Sequence, residues 1–260
     1  LLRPGGLLEG ILDYIDASSA VCHPVFSLAA AIPTIGSLVG HKFQTETGLK
    51  TNFYAITLGY AGAGKDSPQN AIPRLLLNTD ASDILGPNTL TSEAALLRYC
   101  ANFKKASTVL FLDEIGLVLK SLRRPNSSAF EVPAALMKLF SGVNRPYLKP
   151  YASGDDLLVH WHHIGLYGAS TPSHFWGGFT RSEASDGFLA RILIFESRHE
   201  RSPAKDSIDT AIPKKLADGI SQLRKIDNGV EGGNLVQKPV PRTIPRSPAA
   251  ATAFQAWETK

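Results

Sequence analysis

The sequence predicts an α/β fold: a mainly parallel sheet sandwiched by helices, with a small helical cap at the N-terminal end. Three observations predict it. Residues 52–58 and 108–112 are apolar, β-branched runs, too continuously hydrophobic for a sheet with one wet face, and 189–196 is a further strand. Helix-spaced segments separate these runs, and strands alternating with helices imply parallel pairing through crossovers. The chain has 260 residues, 43% hydrophobic and 19% charged, enough for one sizeable core and compatible with one domain or two.

Composition excludes several classes. Two cysteines rule out a disulfide scaffold, and ordinary apolar content rules out a disordered or collagen-like chain. Cys22 and Cys100 lack ligand-like spacing and read as two buried, reduced thiols of a cytosolic protein. Lys and Arg number 27 against 23 Asp and Glu, a net charge of +4 that permits a nucleic-acid partner without requiring one. No signal segment opens the chain. Residues 17–40 contain no Asp, Glu, Lys or Arg, but Pro24, Pro33 and several Ser, Thr and His residues interrupt them, so a buried helix pair is expected rather than a membrane span. The chain starts without Met and stops inside a helix-like stretch at 248–260, as a piece of a longer polypeptide would.

The elements follow in order. Residues 7–16 place Leu8, Ile11, Leu12 and Ile15 at helical spacing, and 24–40 form the second cap helix. Residues 40–51 predict a short hairpin turning near Gly48. The buried strand 52–58 runs into a glycine-rich loop, then a helix at 68–78 that Pro73 kinks or delays. A capped helix at 92–103 precedes the strand 108–112. Helices follow at 116–122 and 132–140, split by a polar loop at 123–128. Residues 147–151 and 157–161 form a hairpin around Ser153, Gly154 and Asp155. Residues 163–167 are a strand, 168–171 its turn, and 189–196 the last convincing strand. Charged, Pro-rich segments and a helix at 213–225 close the chain. The organisation expected is a cap and hairpin at 1–50, a core at 51–200 and a truncated C-terminal extension at 201–260.

Gly59-Tyr60-Ala61-Gly62-Ala63-Gly64-Lys65 fits G-x-x-x-x-G-K, between a buried strand and a helix. Glycines let successive backbone N–H groups curl around phosphate oxygens, the helix N-terminus adds positive potential, and Lys65 reaches the β- and γ-phosphates. A glycine turn of purely structural use is the competing reading. Asp66 stands where Ser or Thr normally offers a hydroxyl to Mg²⁺, with Ser67 next. Either Asp66 ligates the metal or it points away and Ser67 substitutes.

Val109-Leu110-Phe111-Leu112-Asp113-Glu114 is a buried run ending in two carboxylates, and the gap from Lys65 allows a helix and an intervening strand. In this pattern Asp113 would hold Mg²⁺ through water and Glu114 would polarise the attacking water; two solvated carboxylates at a strand end are the competing reading. A polar group at the end of 163–167, Ser170 or Thr171, senses the γ-phosphate; plain turn chemistry competes. Arg191, just before a buried strand, suits an arginine finger acting on a neighbouring subunit, with Arg181 as second candidate. Arg145, Lys149, Tyr147 and Tyr151 interleave charge and rings along the hairpin, which suits a strand of nucleic acid. Lys120, Arg123 and Arg124 form a second basic group. His160 and His162 share one strand face and His163 takes the other, with no third metal ligand at a persuasive spacing.

The order GLLEGILDYID, GHKFQTETGLKTNFYAITLGYAGAGKDSP, LFLDEIG, LYGASTP and DGFLARILIFE, across residues 7–196, resembles the P-loop ATPase modules of phage- and prophage-encoded primase-helicase replication proteins, an AAA+/RecA-like group. The Gly-Lys-Asp variant of the loop belongs to that resemblance. It implies an ATP-hydrolysing, Mg²⁺-dependent DNA helicase or translocase. The site implied is Gly59, Gly62, Ala63, Gly64, Lys65, Asp66, Ser67, Asp113 and Ser170 on nucleotide and metal, with Lys65, Glu114, Thr171 and Arg191 in catalysis. The partners implied are single-stranded or forked DNA, gripped by Arg145, Lys149 and Tyr151, a hexameric ring of copies, and a primase domain on the same polypeptide. The compartment implied is the cytoplasm of a bacterium or a phage-infected cell. A nucleotide-gated assembly ATPase without unwinding activity, and a DNA-packaging motor, are the alternatives.

Overall fold

The computed structural model describes residues 3–102, 107–121, 131–150, 156–178, 187–197, 204–227 and 238–259. In chain order the elements are α1 (Gly6–Ala17), α2 (Pro24–Val39), β1 (Phe43–Thr45), β2 (Tyr54–Leu58), α3 (Ser67–Leu77), α4 (Glu93–Asn102), β3 (Ser107–Leu112), α5 (Ile115–Ser121), α6 (Val132–Gly142), β4 (Tyr147–Lys149), β5 (Leu157–Val159), β6 (His163–Ser170), α7 (Pro172–Trp176), β7 (Ile192–Glu196), α8 (Lys214–Lys225), β8 (Arg242–Ile244) and α9 (Pro248–Glu258). The fold is mixed α/β. Four parallel strands form the central sheet in spatial order β3–β6–β2–β7.

Period-two alternation assigns the two faces. Tyr54, Ile56 and Leu58 of β2, Leu110 and Leu112 of β3, and Ile164 and Leu166 of β6 pack with α4, α5 and α6. Ala55, Val109, Phe111, Tyr167 and Ala169 point the other way, into a second cluster shared with α1, α2, α3 and α8. Every residue of β2, β3 and β6 is buried, which explains their unbroken apolar character. Each fully buried Leu or Ile contributes about 1.5–3 kcal/mol relative to exposure.

The N-terminal helices are therefore not a separate cap. α2 has no charged residue because it lies flat on the sheet. A Cβ at Gly165 of β6 would stand 2.5 Å from Ser37 Oγ and 2.8 Å from the Pro33 carbonyl, so the glycine permits this close approach. The polar groups of α2 are satisfied locally: Ser37 Oγ donates to the Thr108 carbonyl at 3.0 Å, and Thr34 Oγ1 to Ala30 at 2.8 Å. Among the described residues no helix is long and apolar enough to cross a membrane.

Other expectations are corrected. The hairpin expected at 40–51 is one strand and a tight turn; β1 pairs in parallel with β8, near the other end of the chain. The strand intervening between Lys65 and Asp113 is reduced to one bridge, Leu85 to Val109, after the 3₁₀ turn Ser82–Ile84. α3 runs through Pro73 from Ser67 to Leu77. β6 continues to Ser170, so the turn begins only at Thr171. Residues 189–191 are a 3₁₀ turn, and the last sheet strand starts at Ile192; it is not the buried strand expected, because β7 is an edge strand that leaves Leu193 and Ile194 exposed. The extension docks on the core: Leu216 and Ile220 of α8 are buried, and Arg224 donates to Asp83 at 2.5 Å. Cys100 is buried, whereas Cys22 is only half-buried.

His160 and His162 lie between β5 and β6 rather than on a strand, with Trp161 between them at φ +46°. His163 opens β6 and is bonded on both ring nitrogens, to Ser107 Oγ at 3.1 Å and Thr51 Oγ1 at 3.2 Å. Its ring meets the His41 ring edge-on at 5.7 Å. Burial holds His41 down at about 4 and His162 at about 3, and pushes His163 well below its usual 6.5. These folded values lie below the unfolded one, so the stabilisation is complete above about pH 6.5 and drains away as pH falls toward about 4. Urea melts are expected to show stability falling steadily as pH is lowered through that window. A midpoint unchanged between pH 7.5 and 5 would sink this reading.

Candidate functional site

Strand register brings two sequence signals to one sheet edge. Leu58 of β2 stands opposite Ser170 of β6, and Leu112 of β3 opposite Gly168. The glycine-rich loop leaves β2 and the acidic pair leaves β3 on either side of the end of β6. Gly59 N–H donates to the Ser170 carbonyl at 3.1 Å, fastening the loop's first residue to that strand.

The loop 59–66 needs its glycines. Gly62 and Gly64 have φ of +79° and +83°, the left-handed region that side chains disfavour. A Cβ on Gly64 would also stand 3.0 Å from the Val21 carbonyl, part of the link between α1 and α2. Ala63 is buried, and α3 begins directly behind Asp66. The backbone of Lys65 is anchored from below: the buried Tyr167 hydroxyl donates to its carbonyl at 3.3 Å and lies 3.0 Å from Thr57 Oγ1.

Lys65 is the centre of the site. Its nearly buried Nζ donates to Glu114 Oε1 at 3.1 Å and Asp66 Oδ1 at 3.2 Å. Burial works against its charge, but the bonds to Glu114 and Asp66 outweigh it and hold the ammonium above its ordinary range. Asp113 is exposed, and its Oδ1 accepts the Glu114 N–H at 2.8 Å. Glu114 itself has φ +43°, an uncommon value for a residue with a side chain, and it starts α5 by accepting from Leu117 and Val118. Glu114 Oε2 has no hydrogen bond and faces His174 Nδ1 at 3.7 Å, beyond bonding range.

The other expected residues divide. Ser170 is fully buried with no partner for its hydroxyl, between the loop and the acidic turn. Thr171 caps α7, accepting from His174 N–H at 3.4 Å. The Ser67 hydroxyl is committed to the Val21 carbonyl, which leaves Asp66, two-thirds exposed, as the open oxygen ligand beside Lys65. Arg191 lies at the opposite sheet end, one residue before the Tyr54–Ile192 pair, about 16 Å along the strand from Leu58. It cannot serve the loop of its own chain, and its Nη1 donates to the Gly187 carbonyl at 2.6 Å. Arg145 is exposed at the foot of the β4–β5 hairpin, but Lys149 is ion-paired with the buried Glu93 of α4. Lys138, which the sequence reading passed over, donates to the Tyr147 hydroxyl at 3.2 Å. Tyr151, Ser153, Gly154, Asp155, Arg123, Arg124 and Arg181 lie outside the described residues.

His174 is the residue sequence reasoning missed. The only available signal was Thr171-Pro172, a cap followed by an N1 proline, which starts a helix whose first turn ends at His174. Among the described residues no group of three or more His, Cys, Asp or Glu is arranged to hold a metal. Mg²⁺ needs no such cage; one or two carboxylates plus phosphate and water suffice, and Asp66 and Asp113 fit that donor set. Two carboxylates, Asp66 and Glu114, hold the Lys65 ammonium, and Asp113 stands exposed beside Glu114.

No family model matches the chain, and no curated protein matches it. Among solved structures it is similar to the A form apo structure of the NrS-1 C-terminal region, at 13% identity and a TM-score of 0.36, over 85% of this chain and 42% of that one. The chain thus spans under half of that neighbour's length.

The site's packing makes a test. A Cβ on Gly116 would stand 2.6 Å from Ser170 Oγ and 2.7 Å from the backbone at His174 and Phe175. Gly116→Ala should cost roughly 1–3 kcal/mol in urea melts through overpacking. Gly142→Ala, which meets nothing within 4 Å, should be neutral or slightly stabilising. Equal effects at the two positions would refute the close approach of α5 and α7.

Proposed function

We propose that the chain is the ATP-hydrolysing motor module of a DNA helicase or translocase, of the kind that phage or mobile-element replication proteins carry. One observation carries the reading: the Lys65–Glu114 bond, which joins the glycine-rich loop to the acidic strand end. Lys65 and the loop amides bind the β- and γ-phosphates. Asp113 and Asp66 would hold Mg²⁺, which neutralises charge on the transferring phosphoryl group. Glu114 accepts the proton of the attacking water, and Ser170, unpartnered and buried between loop and base, senses the γ-phosphate. Arg191, remote from its own Lys65, acts only on a neighbouring copy, which fits a ring. A primase on the same polypeptide and a bacterial or infected-cell cytoplasm belong to the same reading.

A second reading, an assembly ATPase that unwinds nothing, is favoured by the Lys149–Glu93 pair, which neutralises a charge the hairpin would otherwise offer to DNA. Arg145 and Lys138 then carry what cationic grip remains.

Two outcomes test these readings. Glu114→Gln should keep nucleotide binding and lower hydrolysis at least about 100-fold; unchanged turnover would refute the base. Arg145→Glu with Lys138→Glu should weaken single-stranded DNA binding roughly tenfold or more and flatten its salt dependence. Unchanged affinity would transfer support to the assembly reading.

A further inference from the structure

Lys65 has two tasks that compete. In the structure its ammonium holds Glu114 Oε1 at 3.1 Å. On the proposed reading it must turn to a γ-phosphate, whose greater negative charge draws it away. Glu114 Oε1 then loses its donor. The other oxygen, Oε2, is already buried without a hydrogen bond, and a carboxylate so exposed to loss has no fixed orientation toward a water.

One group stands ready to replace the lysine. His174 Nδ1 lies 3.7 Å from Oε2, so closing by about 1 Å would make a hydrogen bond. Its place is fixed by the backbone rather than by the ring. Thr171 Oγ1 accepts the His174 N–H, and the first turns of α5 and α7 approach so closely that only glycine fits at position 116. The imidazole is half exposed, so no apolar packing requires a ring there.

We propose that His174 is a positioning residue. It takes over Glu114 when bound nucleotide draws Lys65 away, and so aims the carboxylate at the attacking water. This rests on the reading of Glu114 as the base. Lys65 keeps the base occupied in the empty site, and His174 keeps it aligned in the filled one.

The test uses steady-state ATP hydrolysis with separate measurement of ATP-analogue affinity. His174→Ala should lower kcat at least about tenfold with analogue Kd unchanged. His174→Asn, whose amide nitrogen stands where Nδ1 stands, should restore kcat to within about threefold of wild type, while His174→Gln, which mimics Nε2, should behave like Ala. The proposal is overturned if His174→Ala keeps kcat while Glu114→Gln loses it. It is also overturned if Ala, Asn and Gln are equally slow, or if Kd weakens in step with kcat, as a structural role would give. A wild-type chain that hydrolyses no nucleoside triphosphate would remove the Glu114 reading itself, and His174 with it.

Discussion

Strand β6 is the constraint on which the rest depends. All eight of its residues are buried, and it is paired in parallel on both sides, to β2 and to β3. Those two registers alone decide that the glycine-rich loop and the acidic turn emerge side by side. A slip of one residue would exchange Ile164 and Leu166 with the residues facing the other cluster, and it would withdraw Ser170 from between loop and carboxylates. The apolar cost of such a slip is borne by both faces at once. Site geometry is therefore protected by core packing, not by the site's own contacts.

The site places opposing charges in a partly dry setting. Lys65 is nearly buried and Glu114 about one-third exposed, so their attraction is screened less than a surface pair's. Asp66, more exposed, adds charge at less desolvation cost. The Tyr167–Thr57 pair below holds the Lys65 backbone, so the lysine's freedom is confined to its side chain. A flexible four-carbon stem on a fixed backbone can change partners without moving the loop. The left-handed Glu114 gives the opposite arrangement: a strained backbone that sets where a short side chain starts.

What the sequence made legible was local. Continuous apolar runs marked β2 and β3, and the spacing of Gly59, Gly62 and Gly64 marked a loop whose positive-φ positions, 62 and 64, the structure occupies with glycine. What it hid was decided by partners far along the chain. Phe43–Thr45 pairs with Arg242–Ile244, and no period within 40–51 encodes that. Lys149 reads as a free cation until Glu93 of α4 is placed beside it. Ser67 reads as a metal ligand until Val21 takes its hydroxyl. The cap helices read as a separate unit because the apolar stripe of α1 and the missing charge of α2 say that a helix is buried but not against what. His174 belongs to no pattern, since its neighbour Glu114 becomes a neighbour only through β3–β6 pairing.

The link between α1 and α2 shows why the C-terminal extension belongs to the same mechanical unit. The Val21 carbonyl takes the Ser67 hydroxyl, and its residue crowds Gly64, so the link presses on the glycine-rich loop and on the start of α3. Ala17 and Ala20 carbonyls accept from Asp209 and Lys205, each at 2.8 Å, which ties the same link to the extension. His23 caps α2 through Nδ1 and meets Ser197 Oγ through Nε2 at 2.8 Å, while the Ser197 N–H returns to the Leu58 carbonyl. The link is thus bonded to the extension on one side, and to the loop and the end of β7 on the other. A displacement of residues 205–209 has a short bonded path to Gly64, and a change at the loop has the same path outward. The two sets of hydrogen bonds share seven residues, 17–23, of which Ser18, Ser19 and His23 are buried.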